Sequence, residues 1–413
     1  MLEENLCNSS MKFLHSADWQ LGKCFKQFGD KAGDLRQVRF ETLHRALQTA
    51  RDRRVDAFVI AGDLFEDNEI DDSVVRSAVS IFAEFTDVPV FIVPGNHDPF
   101  IGPGSVWNRQ SFLAASKNVR VFDNAERVEI NGGFLLASPL QQKHSTLDPS
   151  LKLVELATKL PTERIQVGVT HGALAIPSKH EPNDFPIALN AATRAKLDYL
   201  AVGHWHNWLL NDEGRLLMPG TPETDEFDQT DSGFIALVEV TERGKPPLIE
   251  KLPIATLGWH TLDFDFVDAD AARQHLQAEI AKLNDRAKTS VVRVRVRGSA
   301  VRDVLASTRQ WLDDLLKPFP FAQVHDESGL AFSPVELDFL KASHPILAQV
   351  LADLDQMSAL TIGTRNDSVC TEPLSPPDKD RLLSEAHIEP SELKATHFQL
   401  ARQLLLQNLQ EAK

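Results

Sequence analysis

The chain has 413 residues, a formal net charge of −16, 42% hydrophobic and 25% charged residues. That length exceeds one ordinary core, so two domains and a tail are expected, and no apolar run is long enough to cross a bilayer. The acidic balance excludes a protein that coats nucleic acid nonspecifically, though not an enzyme that acts on it. The opening MLEENLCNSS lacks the apolar stretch of a secretory leader, and Cys7, Cys24 and Cys370 are too scattered for a disulfide framework or a Cys-based zinc site. A cytoplasmic protein without membrane partners is expected.

In chain order, KFLHS (12–16) reads as a short strand and 36–53 as a helix, with Val38, Leu43, Leu47 and Ala50 near helical spacing. VDAFVIA (55–61) and VPVFIV (88–93) are apolar runs of the kind found in strands covered on both faces, with a helix over about 73–86 between them. RIQVGVTHG (164–172) and YLAVGHWHN (199–207) continue the alternation, which predicts a layered α/β domain over 11–257. Strand-like segments at 215–218, 233–240 and 247–254 follow without long helices.

From 258 to 330 the pattern becomes strand, helix, strand, helix, strand and predicts a separate small α+β domain. Pro334, Pro345 and EPLSPPDKD mark 331–390 as a linker with short helical pieces. Leu393, Phe398, Leu400, Leu404, Leu405 and Leu409 give 391–413 the spacing of an amphipathic helix.

Each apolar run of the first domain ends in polar residues of one kind. SADWQ carries Asp18 and Gln20, and AGDLFED carries Asp63. PGNHDP carries Asn96, His97 and Asp98, THG carries His171, and GHWH carries His204 and His206. Ligands gather at the carboxyl ends of strands in α/β sheets, and carboxylate, amide and imidazole together suit divalent metals. In an extended segment, residues two apart face one side, so His204 and His206 are expected to reach one site while Trp205 turns away.

The series D-x-[HQ], GD, GNHD, TH, GHxH resembles the calcineurin-like metallophosphoesterase superfamily. FLHSADWQLGK, GDLFED and MPGTPE are more narrowly similar to the SbcD-type DNA double-strand-break repair nuclease subunit. The motif likeness spans about 11–255; the 258–330 unit matches that family's capping domain in position and pattern only.

The resemblance implies a four-layer β-sandwich flanked by helices, a capping domain that contacts DNA, and a C-terminal helical tail. It implies two divalent ions. Asp18, Gln20, Asp63 and His206 would surround the first, and Asp63, Asn96, His171 and His204 the second, with Asp63 bridging. It implies an exonuclease or endonuclease subunit that works with an SbcC-like coiled-coil ATPase through the tail, and a homodimer.

His97, next to Asn96, is placed to give a proton to the leaving oxygen, with Asp98 orienting it. Gln20 departs from the usual His of the superfamily. An amide oxygen suits Mn or Mg better than Zn or Fe, so the expectation is manganese, with Mg, Fe and Zn as alternatives, or else a first ion that is weakly held. Arg293, Arg295 and Arg297 on one strand face, with Lys23 and Arg109, are candidate phosphate contacts, against a solvated outer face as the plainer reading. A phosphodiesterase for small diesters and a metal-impaired scaffold for the ATPase are the alternatives to the nuclease.

Overall fold

The computed structural model describes residues 10–113, 117–176, 181–362, 401, 402 and 405. The chain divides into two compact units, the first Met1–Trp259 with Thr289–Val291, the second His260–Lys288 with Val292–Lys413.

The strands of the first unit are, in chain order, β1 (Met11–Ser16), β2 (Ala57–Ala61), β3 (Val90–Val93), β4 (Val119–Val121), β5 (Glu126–Ile130) and β6 (Gly133–Ser138). There follow β7 (Ile165–His171), β8 (Tyr199–Gly203), β9 (Leu209–Asn211), β10 (Leu216–Met218), β11 (Phe234–Val240) and β12 (Leu248–Pro253). They form two six-stranded sheets, ordered β12-β11-β1-β2-β3-β4 and β5-β6-β7-β8-β10-β9. The helices are α1 (Ala32–Arg53), α2 (Asp72–Glu84), α3 (Gln110–Leu113), α4 (Leu151–Ala157) and α5 (Ala191–Arg194).

The apolar runs of β1, β2 and β3 are continuous because both faces of their sheet are covered. One face packs Leu14, Phe58 and Ile92 with Leu43, Leu47, Val75 and Phe82 of α1 and α2. The other packs Phe13, Val59 and Phe91 against Leu135, Val167 and Tyr199 of the second sheet. That sheet's outer face carries Leu136, Leu200 and Val202 with Leu153 of α4 and Ala191 of α5. The layers therefore run helix, sheet, sheet, helix, a mixed α/β fold of two multi-stranded sheets flanked by helices.

β1, β2 and β3 are parallel, as are β6, β7 and β8, so their carboxyl ends lie together within each sheet. The strands β4, β5, β6 and β9 are not among the expected elements, although β6 (GFLLAS) is a buried apolar run. Strand β5, ERVEI, is a half-exposed edge whose alternation is short and charged.

In the second unit β13 (Gly258–Asp265), β14 (Ser290–Arg297) and β16 (Phe321–Asp326) form one sheet, while β15 (Ser299–Ala300) pairs with β17 (Gly329–Leu330). Helices α6 (Ala269–Leu283) and α7 (Arg302–Leu316) bury Leu276, Ile280, Leu312 and Leu316 against Val292, Val294 and Val296.

Within the span expected as a linker, α8 (Pro334–Ser343) and α9 (Pro345–Ile362) are regular helices. Pro334 stands at the first turn, where its missing N–H costs nothing, and Ser333 with Glu336 closes a capping box. The prolines thus start helices here instead of breaking them. Of the tail expected at 391–413, only Ala401, Arg402 and Leu405 lie within the described residues. Leu405 packs against the Leu340 and Leu351 cluster, and Arg402 is 2.7 Å from Asp355.

Candidate metal centre

The polar residues that end the parallel strands meet at one edge of the sandwich. Ligand atoms of Asp18, Asp63 and His171, all buried, lie within 4.8 Å of one another. The Asn96 amide oxygen lies 2.8 Å from His171 Nε2 and 3.0 Å from His204 Nδ1. Asp63 Oδ2 is 3.3 Å from His171 Nε2, and its Oδ1 accepts the His97 backbone N–H at 2.9 Å. The His204 backbone N–H donates to both Asp18 oxygens, at 3.0 and 3.1 Å.

The backbone is strained where these side chains turn inward. Asp18 (φ 56), Gln20 (φ 41), Asp63 (φ 54) and His204 (φ 118) have positive φ, a conformation that is uncommon for residues other than glycine. Strand β8 ends at Gly203, so His204 and His206 lie on a bend, not on the extended segment that GHWH suggests. Gly95 is required by contact: a Cβ there would stand 2.1 Å from Asp63 Oδ1.

Electrostatics mark the cluster as a place for positive charge. Burial pushes the Asp18 carboxyl up to about 6, even though His171 and His206 pull it down. Asp63 is subject to the same burial, but the His171 and His97 charges outweigh it and hold this carboxyl well below the usual range. Burial opposes a charged His171, yet the Asp63 carboxylate lifts it to about 9. His204 falls to about 4, through burial and the neighbouring His171.

The donor set fits a divalent cation. His171 Nδ1 donates to the Ala61 carbonyl at 2.9 Å, while Nε2 faces the oxygens of Asn96 and Asp63. An imidazole between oxygen acceptors on both sides needs a positive species at its inner nitrogen, which is a proton or a metal ion. Asp63, Asn96, His171 and His204, with Asp18 beside them, are the residues that would hold it. His206 lies differently: its Nδ1 is 2.8 Å from Gln229 Nε2 and 3.6 Å from Asp225 Oδ1. Gln20 is buried, and its backbone N–H donates to the Asp63 carbonyl at 2.9 Å.

His97 Nδ1 donates to the Glu66 carbonyl at 2.8 Å, which leaves Nε2 for chemistry. Asp98 is not its orienting partner. The Asp98 oxygens accept the Gly95 and Phe65 backbone N–H groups at 2.8 and 3.0 Å, so this carboxyl ties the GNHD loop to the GDLF loop. Burial, then the Asp63 charge, push it up to about 7.

The candidate phosphate contacts all meet groups of this chain. Lys23 stands 3.2 Å from both Asp225 and Glu226, and Arg109 donates to the carbonyls of Ile70 and Asn68. Arg295 forks onto Asp263 at 2.8 and 3.0 Å, and Arg297 meets Glu327 at 3.0 Å. The Gln323 amide oxygen, turned toward Arg293, accepts from its guanidinium at 2.9 and 3.1 Å. Arg109, bound to two backbone carbonyls, has a structural task that its position in the sequence did not reveal.

Three further residues support the site and were missed from sequence. Arg39, 1% exposed, donates to the carbonyls of Trp19 and Glu223 and lies 3.4 Å from Asp225. Glu223, in the MPGTPE stretch, accepts from Thr42 Oγ1 at 2.5 Å and from the Thr256 and Leu257 backbone at 2.9 Å. Asp225 sits among Arg39, Lys23 and His206. Burial works against its charge, but Arg39 and His206 keep it well below the usual carboxylate range. The one signal in the sequence for Arg39 is a charged residue on the otherwise apolar face of α1, beside Leu35 and Leu43.

Residues 11–208 match the model of the calcineurin-like phosphoesterase family. The match supports the superfamily likeness of the motifs and stops short of the SbcD type. Among solved structures, the calcineurin-like phosphoesterase YfkN from Bacillus subtilis is similar at 10% identity over 60% of this chain and 91% of that one, TM-score 0.40. A dimetal phosphatase from Danio rerio is similar at 14% identity over 59% and 99% of the two chains, TM-score 0.37. The purple acid phosphatase PPD1 from yellow lupin (Lupinus luteus) seeds shows 12% identity over 59% and 51%, TM-score 0.35. Among the described residues, no helix is long and apolar enough to cross a membrane.

Proposed function

We propose that this protein is a metal-dependent phosphodiesterase, a DNA nuclease subunit of the SbcD type that works with manganese and an SbcC-like coiled-coil ATPase. The observation that carries the phosphoesterase reading is the convergence of buried Asp18, Asp63 and His171 with Asn96 and His204 at one sheet edge. Bound divalent cations would supply Lewis acidity toward a phosphoryl oxygen and lower the pKa of an attacking water.

The chain's own residues divide the remaining work. Asp63 and Asn96 join the ends of β2 and β3 around the imidazoles of His171 and His204. His97, anchored through Nδ1 on the Glu66 carbonyl, presents Nε2 to the departing oxygen; in the imidazolium form both ring nitrogens carry protons, and Nε2 gives up its own. The DNA reading draws on the motif likeness to the SbcD type, as do the ATPase partner and the homodimer.

A second reading, hydrolysis of small diesters, is favoured by one observation: Lys23, Arg109, Arg293, Arg295 and Arg297 are each engaged within the chain, on a background of −16 charge. Manganese-loaded protein is assayed on end-labelled duplex and single-stranded DNA and on bis-p-nitrophenyl phosphate, with and without the ATPase. Cleavage of DNA supports the nuclease. Turnover of the small ester with DNA left intact under all conditions replaces it with the second reading, and no hydrolysis of either rejects both.

A further inference from the structure

We infer that Glu223 is a positioning residue of the metal centre: its backbone carbonyl holds Arg39 on the loop that carries Asp18, and its carboxylate ties the segment 254–257, just before β13, to the same helix α1. The consequence for manganese rests on the metal-dependent reading above; the coupling does not. Glu223 and 254–257 lie beyond the residues 11–208 that match the family. With Thr42 and Arg45 of α1 they would set the shape of a loop whose ligand they do not touch.

The loop after β1 is held from outside. Asp18 (φ 56) and Gln20 (φ 41) stand in the left-handed region on either side of Trp19, a conformation uncommon for residues other than glycine. Their backbone N–H groups reach the carbonyls of Gly62 and Asp63 at 3.1 and 2.9 Å, and the Asp18 carboxyl lies in one cluster with Asp63 and His171. Between them the Trp19 carbonyl is taken by Arg39, through Nε at 3.0 Å and through Nη2 as well.

Glu223 in turn holds Arg39. Arg39 Nη1 donates to the Glu223 carbonyl at 2.9 Å. The Glu223 side chain is 1% exposed, and a carboxylate so buried requires donors around it. It has three: Thr42 Oγ1 at 2.5 Å, one helical turn from Arg39, and the backbone N–H groups of Thr256 and Leu257, each at 2.9 Å. Thr42 Oγ1 accepts from Arg45 Nη2 at 2.9 Å, and the same guanidinium donates to the Ile254 carbonyl at 2.7 Å and to Thr256 Oγ1 at 2.6 Å.

One residue therefore faces two ways, its carbonyl toward the Trp19 loop and its carboxylate toward 254–257. Fixing the carboxylate fixes the backbone that Arg39 leans on, and loosening 254–257 loosens both. Asp198 is the comparison. It is equally buried and accepts the Gln166 and Gly244 backbone N–H groups at 2.8 and 2.6 Å, but it stands just before β8, at the opposite end of that strand from His204.

The test is hydrogen–deuterium exchange of the metal-free full-length protein, read at residues 17–22, with manganese affinity by equilibrium dialysis as a second readout. Glu223→Gln keeps the volume but sets an N–H group against donors, and Thr42→Val removes the hydroxyl. Each should raise exchange at 17–22 and weaken manganese binding roughly 2- to 30-fold. Arg45→Met, at an exposed position, should act in the same direction to a smaller extent, and it decides the question if the buried variants do not fold. Asp198→Asn should lower Tm with exchange at 17–22 and manganese affinity unchanged. Exchange at 17–22 that stays native in the folded Glu223, Thr42 and Arg45 variants, or that rises as much in Asp198→Asn, overturns the inference while leaving the phosphoesterase reading intact. Raised exchange with native manganese affinity overturns the positioning role. Raised exchange in variants of a protein that binds no manganese supports the coupling and overturns the metal-dependent reading.

Discussion

Arg39 is the most exposed point of the design to a single substitution. Its guanidinium is buried, and it grips the Trp19 carbonyl between Asp18 and Gln20, two residues held at positive φ. It also neutralises Asp225 at 3.4 Å. Arg39→Met removes one partner of a buried ion pair, which costs roughly 3–5 kcal/mol. Lys23, 3.2 Å from Asp225, keeps part of that carboxylate's charge balanced and moves the expectation down. The orphaned Trp19 carbonyl moves it back up by about 1–3 kcal/mol. The two corrections nearly cancel, leaving about 4 kcal/mol.

In a unit of this size that corresponds to a fall in Tm of roughly 8–16 °C. The assay is thermal unfolding followed by far-UV circular dichroism. Arg39→Met/Asp225→Asn, which removes the unpaired charge, should lose less than the sum of the single changes. A fall below about 3 °C for Arg39→Met, or strict additivity in the pair, would refute the assignment of Arg39 as the clamp of this loop.

Other expectations concern the buried groups around it. Burial lowers His15 to about 3, so between its ordinary value and that one the unfolded chain binds the proton and the folded chain does not. Stability is then lost as pH falls, by about 2 kcal/mol between pH 7 and pH 5. His15→Phe should flatten the dependence of urea midpoint on pH by that amount, and an unchanged slope would contradict it. Gly95→Ala drives a methyl into Asp63 Oδ1, 2.1 Å away, and should cost roughly 1–3 kcal/mol together with manganese affinity. A variant with native metal binding by dialysis would count against the geometry. His97→Ala should lower kcat about 10²–10⁴-fold with manganese affinity unchanged. Asp98→Asn should instead cost roughly 1–3 kcal/mol of stability, since an amide has one oxygen for two backbone N–H groups. Equal loss of kcat in both, at equal stability, would restore Asp98 as the orienting group.

The local sequence was enough to read the strands β1, β2, β3, β7 and β8, because a run of apolar residues ended by a polar cluster follows directly from burial on both faces. It also identified Asp18, Asp63, Asn96, His171 and His204 as a set, since each follows such a run at a carboxyl end. Only the tertiary structure could decide what lay behind those residues. Arg39 and Glu223 belong to the site through partners about 180 residues distant, a relation that no local spacing encodes. The same holds for His206: GHWH marks it as a candidate ligand, but its neighbours Gln229 and Asp225 meet it only once the chain has folded.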